Sequence, residues 1–84
     1  MEIRILYFAG LREAVGCAEE RCFLPDEVRN VGALRTYLAA RGEAWRIVEN
    51  GRIVRVAVNQ AMVNDAMLLK AGDEVAFFPP VTGG

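Results

Sequence analysis

The chain opens on alternation. From Glu2 to Phe8, Ile3, Ile5 and Tyr7 share one parity and Arg4, Leu6 and Phe8 the other, which is the period of two that a strand requires. Both parities turn apolar towards Phe8, so this predicted first strand is a central one, covered on one face by the fold and on the other by something else. Gly10 to Gly16 is expected to form a short turn, at most one helical turn through Leu11 to Val15, bounded by glycine at each end. A second strand is placed at Ala18 to Leu24, where Pro25 and Asp26 stop it.

The spacing then changes to three and four. Val31, Leu34 and Leu38 fall on one side of a predicted helix from Val31 to about Arg41, with Tyr37 at the margin and Arg35, Thr36 and Arg41 turned elsewhere. Asn30 is the expected N-cap and Gly42 the residue just past the C-terminus. Gly32 sits in the first turn at a cost of up to about 1 kcal/mol relative to Ala, so packing must hold this helix. Glu43 to Glu49 carries a weaker pattern, in which Trp45 and Val48 could share a short helical face. Asn50-Gly51 signals a turn with a strand after it, and Ile53 to Asn59 places Val54, Val56 and Val58 at period two. Asn59-Gln60 breaks that run before Ala61, Met62 and Val63; Met67 to Leu69 form a short apolar segment, and Ala71-Gly72-Asp73 turns into a last strand.

That last strand runs from Glu74 to Phe78. Val75, Phe77 and Phe78 favour a packed strand, whereas neither Pro79 nor Pro80 can donate a backbone hydrogen bond, so pairing stops there. One amphipathic helix held against one face of a mixed sheet is the economical packing of these elements, an α+β domain with the first and last strands as central neighbours. Parity directs Val75 and Phe77 towards the helix, and Ala76 and Phe78 to the opposite face. There Phe78 and Phe8, with Leu6 nearby, would make an exposed apolar patch of the kind that marks an interface.

Composition narrows the function classes. Eighty-four residues make one domain, near the size that buries roughly 60 to 65% of its unfolded surface. A hydrophobic fraction of 54% and a charged fraction of 25% belong to a globular core. A formal charge of -1 without a basic run interleaved with aromatics argues against nucleic acid. No apolar run approaches the ~20 residues of a membrane span and no signal-peptide pattern is present, so a cytoplasmic protein without a membrane partner is expected. Cys17 and Cys22, in a chain without His, could supply only half of a structural zinc's ligands, so no metal site and two unpaired structural thiols are expected. The same lack of His removes Ser/His/Asp and Cys/His catalysis.

Several segments carry a resemblance that spans essentially the whole chain. Ile5-Leu6-Tyr7-Phe8-Ala9, the Arg12-Glu13-x-x-Gly16 turn, Val31-x-Ala33-Leu34-Arg35, Ala57-Val58-Asn59-Gln60 and the ending from Gly72 to Gly84, with its Phe-Phe-Pro-Pro-Val-Thr-Gly-Gly, resemble the small, sulfur-carrying subunit family of molybdopterin synthase. The resemblance implies a β-grasp, ubiquitin-like fold over residues 1–84, with 79–84 as a projecting tail. It also implies a chain that is not catalytic alone and binds no cofactor itself. An activating enzyme would use ATP and magnesium to adenylate the carboxylate of Gly84, and a sulfur donor protein would convert it to a thiocarboxylate. The large synthase subunit would then receive the tail in its active site, in a heterotetramer of two small and two large subunits. There, two carriers in succession would supply the dithiolene sulfurs made on cyclic pyranopterin monophosphate. Phe8, Met62, Phe78, Pro79, Pro80, Val81 and Thr82 are the implied contacts with that subunit, with Gly83 inserted and Gly84 as sulfur donor.

The chemistry of the residues agrees with this expectation. A carboxylate has a poor leaving group and an acyl adenylate a good one, yet no Gly-rich phosphate loop follows a strand here, so ATP must come with a partner. Gly83 and Gly84 lack Cβ atoms and can thread a narrow tunnel. Pro79 and Pro80 restrict φ before them and lower the entropy lost when the tail docks. Relatives often carry an acidic residue where Gly32 stands, completing a capping box, so here Asn30 caps alone. A thiamine-pathway carrier and a ubiquitin-like modifier of lysines share the fold and the terminal chemistry. Arg12 and Glu13 are read as a solvated turn, with a contact to the activating enzyme as the alternative.

Overall fold

The computed structural model describes residues 1–79. Five strands form one mixed sheet in the order β2-β1-β5-β3-β4: β1 (Glu2–Tyr7), β2 (Glu19–Phe23), β3 (Arg55–Val58), β4 (Ala61–Val63) and β5 (Glu74–Phe78). The first and last strands lie side by side at the centre and run parallel, Ile5 beside Val75 and Tyr7 beside Phe77. The other pairings are antiparallel. This is the β-grasp arrangement, with helices on one face and the opposite face bare of them.

The expected alternation in β1 holds. Ile3, Ile5 and Tyr7 are buried with Val75 and Phe77 against Val31, Leu34 and Leu38 of α2 (Val31–Ala39). Asn30 caps this helix, its side-chain oxygen accepting from the Ala33 N–H at 2.7 Å. Gly32 has a packing reason: its N–H donates to the Asp65 carbonyl at 2.9 Å, and a Cβ there would lie 3.3 Å from the Asp65 Cβ. The glycine that weakens the helix lets the loop after β4 close onto its first turn.

Four local expectations are corrected. The segment expected as a short turn is a seven-residue helix, α1 (Ala9–Val15), because Leu11 finds the core and Gly16, at φ 74°, supplies the left-handed cap. Gly42 does not cap α2, which ends at Ala39 with Ala40 right-handed; it starts the 3₁₀ turn Glu43–Glu49 instead. The strand after Asn50-Gly51 begins only at Arg55, since 51–53 are turn, although Val54 is fully buried. Arg35, expected to point away from the core, is buried at 3% exposure. Its Nε donates to Asp65 and its Nη1 to the Val48 carbonyl, both at 2.8 Å, and its guanidinium lies 5.7 Å from the centre of the Phe77 ring. Satisfied donors make that burial tolerable.

Trp45 and Val48 do share a face: Val48 is buried and Trp45 packs at the core's margin, edge-on to Tyr7 at 5.4 Å. Of Met67 to Leu69 only Leu69 is buried.

Candidate functional site

The helix-free face is built by the parity of the strands. Parallel pairing sets Tyr7 beside Phe77, so Phe8 falls beside Phe78, and its N–H still reaches the Phe77 carbonyl at 3.2 Å. The two rings stack, 4.9 Å between centroids and 3° between planes, within the range that aromatic pairs prefer. Ala9 then turns the chain out of the sheet at φ 49°, a left-handed conformation that a non-glycine residue adopts at some cost. Phe8 is thereby left 41% exposed at the sheet's end.

Met62 reaches the same place from the other side. Asn59 and Gln60, at φ 50° and 72°, form the two-residue connection from β3 to β4, a geometry matched to strand twist. The hairpin sets Ala57 opposite Met62, and Ala57 in turn faces Ala76 of β5. Two small side chains thus floor an apolar groove of about 370 Å³ whose walls are Leu6, Phe8, Met62 and Phe78, with Gln60 and Glu74 at the rim. Of the expected partner contacts, Phe8, Met62 and Phe78 come together here. Pro79, half-buried, follows β5 directly and has left the ladder. Pro80, Val81, Thr82, Gly83 and Gly84 lie outside the described residues.

The alanine floor is what residue-by-residue reading missed. Its signal was present, since Ala57 alternates with Val56 and Val58 and Ala76 with Val75 and Phe77, but a concave surface needs both alanines in one register. A polar clamp fixes that register. Asn59 donates from its N–H to the Glu74 carbonyl at 2.8 Å and accepts from the Glu74 N–H at 3.0 Å through its side chain. Its amide also donates to Asp73 at 2.9 Å, and the same buried carboxylate accepts from the Lys70 N–H at 2.8 Å. Asn59, read from sequence as a strand end, ties the hairpin to the start of β5.

Behind the groove, on the helix side, Tyr7 donates to Glu20 at 2.7 Å and Arg41 donates to both oxygens of Glu20, at 2.7 and 3.0 Å. Burial, then the bond to Glu20, pushes the Tyr7 phenol far above its ordinary range. Burial alone would raise the Glu20 carboxyl, but the bonds from Arg41 and Tyr7 outweigh it and hold it below its ordinary value. Burial pushes the Cys22 thiol up despite Arg41 nearby, so it is a poor nucleophile. Cys17 and Cys22 are free thiols. No group of three metal-ligating side chains and no membrane-length apolar helix occurs among the described residues.

Set beside known proteins, residues 5–84 match the sequence model of the ThiS family. The molybdopterin synthase sulfur carrier subunit of Escherichia coli (strain K12) is 43% identical over 83 residues, covering 98% of this chain and 99% of that protein. Among solved structures, a putative molybdopterin converting factor subunit 1 from Pyrococcus furiosus superposes with a TM-score of 0.78 at 31% identity, covering 96% of this chain and 99% of that one. The protein SAMP1 from Haloferax volcanii superposes with a TM-score of 0.75 at 26% identity over the whole of both chains.

Proposed function

The chain belongs to the ThiS family, and on that premise we propose that it is the sulfur-carrying small subunit of molybdopterin synthase. The observation that carries the reading is the similarity to a carrier subunit of that enzyme at 43% identity, covering 98% of this chain and 99% of that protein. The groove of Phe8, Met62 and Phe78 is in keeping with it, since an exposed apolar surface of this kind suits a partner.

In this reading the chain presents a carboxylate and the chemistry is done by others. The Gly84 carboxylate attacks the α-phosphorus of ATP on an activating enzyme that holds magnesium, and pyrophosphate leaves. Hydrosulfide released by the sulfur donor then attacks the carbonyl carbon of the acyl adenylate, AMP leaves, the sulfur gives up its proton to solvent, and a thiocarboxylate remains on Gly84. The large subunit seats on the groove, so that β5 aims Pro79 and the residues after it, Pro80, Val81, Thr82 and Gly83, into its active site. There the thiocarboxylate sulfur bonds to a carbon of cyclic pyranopterin monophosphate, and water cleaves the resulting thioester at the Gly84 carbonyl, leaving the sulfur on the pterin and a carboxylate on Gly84, in an assembly of two small and two large subunits. A cytoplasmic setting supplies ATP to such a cycle.

Intact-mass measurement tests the chemistry. After incubation with activating enzyme, ATP and a sulfur source, one oxygen-for-sulfur exchange is expected at Gly84, and removal of Gly84 should abolish both the exchange and molybdopterin formation while the circular dichroism stays unchanged. An unchanged mass in the full chain would overturn the reading. The likeness to SAMP1, a small archaeal modifier protein, favours conjugation as a second reading. Isopeptide adducts of Gly84 on protein lysines, in place of the exchange, would select it.

A further inference from the structure

The groove has a charged neighbour that its apolar walls do not explain. Arg55, the first residue of β3, pairs in register with Phe78. Antiparallel partners point to the same face, so its side chain stands beside the Phe8–Phe78 stack where β5 ends and Pro79 begins. It is exposed and makes no ion pair or side-chain hydrogen bond among the described residues. Arg4 on this face differs: it lies 2.6 Å from Glu74 and 3.5 Å from Glu19, so it is already paired within the chain.

We propose that the protein seated on this groove presents a carboxylate side chain to Arg55 at the Phe78 end, and that this pair sets the direction in which the carrier docks. The inference rests on the reading of the groove as the large-subunit interface. A cover over Phe8 and Phe78 also strips water from the adjoining guanidinium, and a charge so desolvated needs an ionised, hydrogen-bonding partner. Among the described residues no carboxylate is paired with it. A carboxylate fits the planar fork of Arg with two parallel bonds, which adds geometry as well as attraction. The groove's opposite end has Glu74 at its rim, already paired with Arg4, and makes no such demand. One end of the apolar slot is thereby made electrostatically distinct, and it is the end at which β5 gives way to Pro79.

The test measures binding of the full-length carrier to the large subunit at low and high salt, for the wild type and for Arg55→Glu, Arg55→Lys, Arg21→Glu and Phe78→Ala. Arg55→Glu is expected to weaken binding by about 30-fold or more at low salt, mainly through dissociation, with a smaller loss at high salt. Arg55→Lys should recover part of the affinity. Arg21, on the same face but on the outer strand opposite Arg4, reports general charge effects, and its reversal should leave affinity within about two-fold. Equal affinity of Arg55→Glu and wild type at low salt, or an equal loss for Arg21→Glu, would overturn the inference. If Phe78→Ala loses binding while Arg55→Glu does not, only the carboxylate is wrong. If Phe78→Ala also binds at full strength, the docking of the groove itself fails.

Discussion

Replacing Arg35 by Met should destabilise the fold by about 2 kcal/mol, because the acceptor it leaves behind cannot be rebuilt. Its side chain is 4% exposed, and the Val48 carbonyl it satisfies is buried. Main-chain oxygens cannot be mutated away, and an orphaned buried acceptor costs about 1–3 kcal/mol. Asp65 adds little: its side chain is 55% exposed and rehydrates when the guanidinium goes, so the pair is discounted to about 0–1 kcal/mol. Met replaces most of the aliphatic stem, which keeps the packing loss below about 1.5 kcal/mol. Against these stands the desolvation of the guanidinium, which can make an apolar substitute for a buried ion pair neutral or even stabilising by about 1–4 kcal/mol. That offset applies fully when every partner is replaced. Here Val48 remains, so the loss should win, and a domain of this length should melt about 8–16 °C lower.

Urea unfolding followed by circular dichroism would measure the difference at constant slope. Arg46→Met is the matched control, since its ion pair with Glu43 has side chains 71% and 90% exposed, and it should shift stability by no more than about 0.5 kcal/mol. An Arg35→Met variant as stable as the wild type would refute the reasoning, showing that desolvation cancels both bonds.

Phe78→Ala, which deletes one ring of the stack, should weaken binding to the large subunit by about 2 kcal/mol, or roughly 30-fold in Kd, and unchanged calorimetric affinity would count against the groove. Asn59→Ala removes two side-chain bonds, deprives the buried Asp73 of one donor and leaves a φ of 50° without its favoured residue; thermal melting should register a loss of about 2–3 kcal/mol. Tyr7 has its folded pKa raised above 10.0, so its contribution is complete below that pH and is lost as pH climbs towards the folded value. Tyr7→Phe should flatten the alkaline limb of the stability profile. Glu20 has its folded pKa lowered below 4.5, so its contribution is complete above that pH and is lost as pH falls through the folded value. In Glu20→Gln the loss of stability over that acid window should shrink, as urea midpoints measured across pH would report.

Much of the fold was legible because it is written in local periods. Ile3, Ile5 and Tyr7 at period two and Val31, Leu34 and Leu38 at helical spacing each name a buried face without reference to the rest of the chain. The prolines after Phe78 end the last strand for a covalent reason, the missing N–H. Parity alone put Phe8 and Phe78 on the face away from the helix, and Asn30 capped α2 as its side chain predicts.

What the sequence could not decide depended on partners far along the chain. Arg35 reads as a surface residue until Val48 and Asp65, 13 and 30 positions away, offer it acceptors. Glu20 is an edge-strand carboxylate until the fold brings Tyr7 and Arg41 to it from either side. Gly32 looks like a flaw in a helix until the Asp65 loop closes on it, and α1 looks like a turn until Leu11 finds the core. Local pattern determined which residues turn inward and where each strand stops. The tertiary structure decided which strands are neighbours, and through that register the two alanines that make the interface face concave, because register joins residues that no local period relates.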